Sequence, residues 1–291
     1  MIDGPDFMII GAMKSATSTL HEQLAAQPGF FMSSPKEPNF FSDDDVWARG
    51  LDWYASLFAA APAGALRGES STHYTKLPTH PRTLERLCAS VRTRRFVYVM
   101  RDPIERLVSH YIHEWSQGVF REPLDAALER HPELVTYGCY ADQLAPWFAR
   151  FGKAAILPVF FERLTAHPEP ELARVARFLG CAEPLAWRAE VARQNVSSER
   201  LRKSPLRDAI VASPLLTRLR RRFVPAALRE RIKASLRMAE RPLLSPEARA
   251  RVEPRFDTDL AQLGAWLGTP LSCATFASVA SQRSLDWVDA R

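Results

Sequence analysis

Residues 7–20 read FMIIGAMKSATSTL, an apolar strand that runs through a small-residue loop into a helix. Phe7, Met8, Ile9 and Ile10 show no alternation, the pattern of a strand covered on both faces of a parallel sheet. Gly11 and Ala12 keep the turn narrow, and a helix is expected to start near Thr17. The first N–H groups of such a helix lack partners within it and point into the loop. With the Lys14 charge beside them, they form a cradle suited to phosphate or sulfate. A plainer alternative is a structural strand–turn–helix whose Ser or Thr caps the helix. The strict pattern G-x-x-x-x-G-K-[ST] is absent, because no Gly adjoins Lys14.

A second segment of the same kind spans residues 94–115, RRFVYVMRDPIERLVSHYIHEW. Phe96–Met100 reads as another buried strand, and Pro103 suits a first helical turn, where its missing N–H costs nothing. The helix expected over Ile104–Trp115 places Leu107, Val108, Tyr111, Ile112 and Trp115 largely on one face. Arg101 stands at the strand's carboxyl end and Ser109 about two turns into the helix. Both reach one phosphate if the loop folds back over the helix start. Otherwise Arg101 and Asp102 form a local ion pair and Ser109 only packs.

Taken together, these segments resemble a sulfotransferase that uses 3′-phosphoadenosine-5′-phosphosulfate (PAPS). The likeness is to the heparan-sulfate-type and related bacterial branch rather than the steroid and phenol branch. In that family a first loop, G-x-x-K-x-G-T-[ST]-x-L, cradles the 5′-phosphosulfate; Gly11, Lys14, Ala16, Thr17, Ser18 and Leu20 stand at its positions. The family's R-D-P-x-x-R-x-x-S-x-Y binds the 3′-phosphate and is matched by Arg101, Asp102, Pro103, Arg106, Ser109 and Tyr111. An acidic residue in a K-E-x-x-F-F context is matched by Lys36, Glu37, Phe40 and Phe41. Ala16 replaces the usual Gly and takes positive φ less cheaply, which predicts a slightly reshaped loop. Further on, residues 50–58 resemble an aromatic helix, and 68–74, GESSTHY, resemble a strand end near the acceptor cleft. There Thr72 replaces a Pro, and Ser70 stands where the heparan enzymes often carry an acceptor-contacting Lys. That departure points away from a sulfated-polysaccharide acceptor. Residues 137–151, 156–164 and 178–180 match the family's helix–strand–helix closing unit.

The resemblance implies roles. Lys14 and the loop residues Ser15, Ala16, Thr17, Ser18 and Thr19 hold the 5′ end of PAPS, with Lys14 neutralising the leaving oxygen. Arg101 and Ser109 hold the 3′-phosphate. Glu37 is the general base, while Lys36, Glu69 and His73 face an acceptor hydroxyl, and Glu69 is the second choice of base. A basic lid precedes the final helix, residues 247–267, with Arg237 and Arg241 as its cations. The fold implied is α/β, a P-loop-like three-layer arrangement with a central, mostly parallel sheet and helices on both faces. Alternating buried strands and helices independently point the same way.

Composition is consistent with one compact enzyme. The chain has 291 residues, 46% hydrophobic and 25% charged, enough for a substantial core. The expected division is a single domain over 1–269 and a tail over 270–291. Apolar runs reach only strand length, and the N-terminus is acidic where a signal peptide is basic, so a cytoplasmic, bacterial-type enzyme is expected. Cys88, Cys139, Cys181 and Cys273 show no paired spacing, and no metal site or nucleic-acid module is expected. Residues 200–237 carry twelve Lys and Arg against Asp208 and Glu230. This basic helical stretch fits a solvated face, a rim that steers anions, or a membrane-surface patch. Two other functions fit parts of the chain. One is a P-loop-like kinase or phosphotransferase, which needs Mg²⁺; the other is a non-enzymatic anion- or membrane-binding adaptor.

Overall fold

A computed structural model describes residues 1–181, 183–193, 238 and 240–288. The basic stretch 200–237 lies outside the described residues, and Arg237 with it. Strands β1 (Phe7–Gly11), β2 (Phe30–Met32), β3 (Leu66–Ser70), β4 (Phe96–Met100) and β5 (Ile156–Phe160) form one sheet in the order β2-β3-β1-β4-β5. Every pairing is parallel. The runs without alternation are explained by what covers them. Phe7, Ile9, Val97, Val99, Leu157 and Val159 face helices α1 (Thr17–Ala25), through Leu20 and Leu24, and a later helix Pro168–Leu179, through Leu172, Val175 and Leu179. Met8, Ile10, Phe96, Tyr98, Met100, Ile156 and Phe160 face the other way, into the larger core. The sheet is thus the middle of three layers.

That larger core is built by α2 (Gly50–Ser56), α3 (Thr83–Ser90), α4 (Pro103–Gln117), α5 (Tyr140–Phe151) and α7 (Pro246–Leu267), whereas the helix Pro168–Leu179 (α6) lies on the opposite face. Helix α4 runs slightly longer at both ends than expected from periodicity. The Asp102 side chain accepts from Glu105 N at 2.9 Å, Pro103 fills the first turn, and Gly118 closes the helix with φ 80°. Ser245 caps α7 in the same way through Ala248 N at 3.1 Å. Among the described residues no helix is long and apolar enough to cross a membrane.

Residues 270–288 are not a tail. Leu271, Cys273, Phe276, Ala280 and Leu285 are buried, and Phe276 opens a short helix α8 (Phe276–Gln282). Trp287 Nε1 donates to the Ile156 carbonyl at 2.6 Å, and Arg174 donates to the Leu285 carbonyl at 2.8 Å. Phe276 packs against Tyr140 and Phe160 with ring centroids 6.3 and 5.7 Å away. The segment covers the end of β5 and α5, so its short apolar spacing is core rather than appendage. Phe276→Ala should cost about 3–5 kcal/mol of stability, read as a lower denaturant midpoint, while the exposed-face Ser278→Ala stays within about 0.5 kcal/mol. Equal midpoints would show that the segment does not brace the core.

Candidate active site

The strand order sets the place of the site. From β1 the chain moves to the β2–β3 side of the sheet, and from β4 it moves to β5, so the two leave the sheet in opposite directions. In open parallel sheets such a divergence leaves a crevice at the carboxyl ends of the two strands. Both anion-suited loops of the sequence open there. The β1–β4 register slips between Ile9 and Gly11, a local bulge at the mouth of the first loop. A Cβ on Gly11 would collide with Thr75 Oγ1 and with the Tyr98 ring, so the position requires a glycine.

The first loop turns through two left-handed residues, Lys14 (φ 68°) and Ala16 (φ 67°). Ala16 therefore keeps the turn that a glycine would make, at a cost of about 1 kcal/mol. It occupies the cap position of α1, and no side chain caps the helix. The plainer reading, with a Ser or Thr as cap, is not what forms. Ser15 is fully buried, and among the described residues its Oγ has no hydrogen-bond partner. Thr17 is buried, while Lys14, Ser18 and Thr19 are half-buried.

Arg101 crosses the crevice. Its Nη1 lies 3.5 Å from the Lys14 carbonyl, its guanidinium carbon is 4.5 Å from the Phe161 ring centroid, and Nη2 meets Glu105 Oε2 at 3.3 Å. Tyr140 fixes its backbone by accepting from Arg101 N at 3.2 Å and donating to Arg101 O at 2.5 Å. Arg101 is not paired with Asp102, whose carboxylate is the cap of α4. Arg241 Nη2 reaches the same Glu105 Oε2 at 2.7 Å, which brings the expected lid residue onto the carboxylate beside Arg101. Ser109 is buried on α4. Glu105 escaped the sequence reading, although its i,i+4 spacing from Arg101 on a helix is a legible signal.

Glu37 sits on the loop after β2. Its N–H donates to the Ser70 carbonyl at 2.9 Å, and its Oε1 accepts from Lys36 Nζ at 2.7 Å and Thr72 Oγ1 at 3.2 Å. Phe40 and Phe41 are fully buried, with Phe40 stacked on Tyr54 at 4.6 Å, so the loop is anchored behind the carboxylate. Burial by itself raises the Glu37 pKa, but the charges of Lys36 and Lys76 and the Thr72 hydroxyl together hold it below its ordinary value. The local pair with Lys36, expected of a plain loop acid, is therefore present in the site itself.

Two expectations change. Glu69 does not face the acceptor: it has no exposed surface, Ser71 Oγ and Tyr74 OH donate to Oε1 at 2.7 and 2.6 Å, and Tyr54 OH donates to Oε2. Burial raises its pKa. It is a buried brace tying the end of β3 to α2 and to the turn that follows, and it is no candidate base. His73 belongs to a cluster that sequence spacing hid. Its Nδ1 lies 2.8 Å from Asp43 Oδ1, its ring stacks on His80 at 4.7 Å, and the His80 Nδ1 is 3.6 Å from the same oxygen. The ligand-type atoms of Asp43, His73 and His80 all lie within 4.8 Å of one another. The two rings stack 18° from parallel, and both Nδ1 atoms approach the same Asp43 oxygen. Burial lowers the pKa of both imidazoles. Behind Glu37, the buried His21 meets Ser70 Oγ at 2.9 Å, with its pKa pushed down to about 4 by burial and by the Lys36 charge.

A family model described as the sulfotransferase domain matches residues 4–210. Mouse heparan sulfate glucosamine 3-O-sulfotransferase 3B1 is 30% identical over 185 residues, covering 60% of this chain and 46% of the relative. The membrane-associated sulfotransferase kil1 of Dictyostelium discoideum is 31% identical over 130 residues, covering 43% and 26%. The chain thus spans less than half the length of these curated relatives. The crystal structure of a sulfotransferase from Alicyclobacillus acidocaldarius superposes with a TM-score of 0.64 at 21% identity, over 93% of this chain and 98% of that one, a likeness of fold.

Glu69→Ala leaves three buried hydroxyls without their acceptor and should lower stability by about 3 kcal/mol in denaturant unfolding. A variant of unchanged stability that has lost a function would return Glu69 to the chemistry.

Proposed function

The chain belongs to the sulfotransferase domain family, and we propose that it moves a sulfuryl group from PAPS to an acceptor hydroxyl of a carbohydrate, lipid or small metabolite. One observation carries this reading: the Arg101 guanidinium lies 3.5 Å from the Lys14 carbonyl, so two cation-bearing loops share one crevice. Each also holds a buried polar atom without a partner among the described residues, Ser15 Oγ and Arg101 Nε. Such atoms are costly unless a ligand satisfies them, and a donor with phosphate groups at both its 5′ and 3′ ends would do so.

The chemistry follows from where charge moves. The S–O bond to the 5′-phosphate breaks with its electron pair left on the phosphate, and the acceptor oxygen bonds to sulfur in line. Lys14 and the uncapped N–H groups of α1 stabilise the phosphate oxygen that gains charge. Arg101 supplies a planar fork for the 3′-phosphate, with Ser109 as its helper on α4 and Arg241 closing over from the lid. Glu37 takes the acceptor proton as the new bond forms, and Lys36 fixes its orientation. As a weak base, Glu37 acts in concert with sulfuryl transfer and not ahead of it. Alignment of donor and acceptor supplies much of the remaining rate, as in phosphoryl transfer.

Calorimetry with 3′-phosphoadenosine-5′-phosphate (PAP) and AMP in the presence of a chelator tests the donor site. PAP should bind tighter, since AMP lacks the 3′-phosphate. Arg101→Ala should weaken PAP by about 1.5–3 kcal/mol and AMP far less. Equal weakening of both nucleotides would make Arg101 a fold residue.

Glu37→Gln keeps the shape and removes the proton acceptor. PAP affinity should hold while turnover falls by roughly 10²–10⁴. Because the Glu37 pKa lies below the ordinary 4.5, wild-type activity should persist as pH falls to that value and decline only beneath it. The Gln variant should lack that acid limb. Near-normal turnover in the variant would remove Glu37 from the mechanism.

A further inference from the structure

Lys76 has no part in the roles above, yet it is the best-secured lysine near Glu37. It follows a 3₁₀ turn, Thr72–Thr75, and is only 9% exposed. Hydrogen bonds hold the chain on both sides of it. Before it, Thr75 Oγ1 donates to the Ile10 carbonyl at 2.7 Å. After it, the buried Gln143 of α5 clasps Leu77, accepting from Leu77 N at 2.7 Å and donating to Leu77 O at 2.9 Å. The backbone of Lys76 is therefore tied to β1 through one neighbour and to α5 through the other.

Its ammonium lies 5.6 Å from the Tyr137 ring centroid. The charged groups around it are Glu37 and Asp43 from the loop after β2, Glu114 and Arg106 from α4, and the imidazoles of His73, His80 and His110. Among the described residues no carboxylate comes within 4.0 Å of Nζ to form an ion pair. Burial lowers its pKa to about 8, against the pull of Glu37. A buried ammonium without a close counter-ion is expensive, and rigid segments tolerate that expense chiefly where an anion is to be met.

We propose that Lys76 is a further catalytic cation, whose ammonium binds the oxygens of the sulfuryl group as it arrives at the acceptor beside Glu37. The proposal rests on the sulfuryl-transfer reading of the site. Lys14 stabilises the phosphate oxygen left behind, whereas Lys76 meets the group that moves, so its interaction strengthens along the reaction and favours the transition state over the bound donor. Lys76 keeps its proton throughout: the acceptor proton goes to Glu37, and the electron pair of the broken S–O bond stays on the nucleotide.

The test uses the full chain, PAP, and inorganic sulfate as the probe for the transferred group, followed by calorimetry. PAP-loaded wild type should bind sulfate. Lys76→Met should weaken sulfate at least 10-fold and leave PAP affinity within twofold, while Lys76→Arg restores sulfate binding. Wild-type sulfate affinity should also fall as pH rises through about 8 and the ammonium loses its proton, whereas the Arg variant keeps its affinity to pH ~10 because a guanidinium does not titrate there. The pH arm needs no folded Met variant. Failure to bind PAP would overturn the sulfuryl-transfer reading itself. PAP binding without sulfate binding, or sulfate binding indifferent to Lys76 and to this pH range, would overturn the role of Lys76 alone.

Discussion

The parallel pairing of β1 with β4 is the constraint on which the rest of the molecule depends. It sets Ile9 beside Val97 and brings the carboxyl ends of two buried strands together while their chains depart in opposite directions. Two positively charged loops that are 87 residues apart in sequence are thereby forced into one crevice. Glu105 offsets part of the charge gathered there, its single oxygen meeting both Arg101 and Arg241 of the lid segment. The remaining loops, after β2 and β3, open at the same edge of the sheet, so Glu37 and Lys76 are placed by the same topology.

The cost of that arrangement is visible in the first loop. Lys14 and Ala16 both adopt left-handed backbone, Ser15 is buried without a partner among the described residues, and no side chain caps α1. None of these features lowers the energy of the isolated chain. Each makes sense if the turn is held by its surroundings to present N–H groups outward, and strain of this kind gathers where binding is prepared. Ala16 shows how far the constraint reaches, because the backbone takes the glycine conformation although the side chain disfavours it.

What could be read in the sequence was what repeats over several residues. The unbroken apolar runs of β1 and β4 disclosed a two-sided parallel sheet, and Pro103 disclosed the first turn of α4, because strand burial and the missing proline N–H act on neighbouring residues. Single side chains whose meaning comes from distant partners were another matter. Glu69 looked like an acid at a strand end, and only the ring hydroxyls of Tyr54 and Tyr74 make it a brace. His73 and His80 are seven residues apart, a spacing that signals nothing until the turn between them folds and stacks the rings on Asp43. Lys76 carried no signal either, since the Tyr137 ring and the α4 charges around it are distant in sequence. Phe276 and Trp287 belonged to a segment too short in each piece to show a period.

The C-terminal segment bears on how the protein can be handled. A fragment trimmed after residue 269 would lose Phe276 and Leu285 and uncover the Tyr140 and Phe160 rings together with the Ile156 carbonyl that Trp287 caps. An open apolar trough at the end of a buried strand is a surface on which copies adhere to one another. Preparations for crystallisation or binding work should therefore retain residues 270–288 and carry any purification tag at the other end.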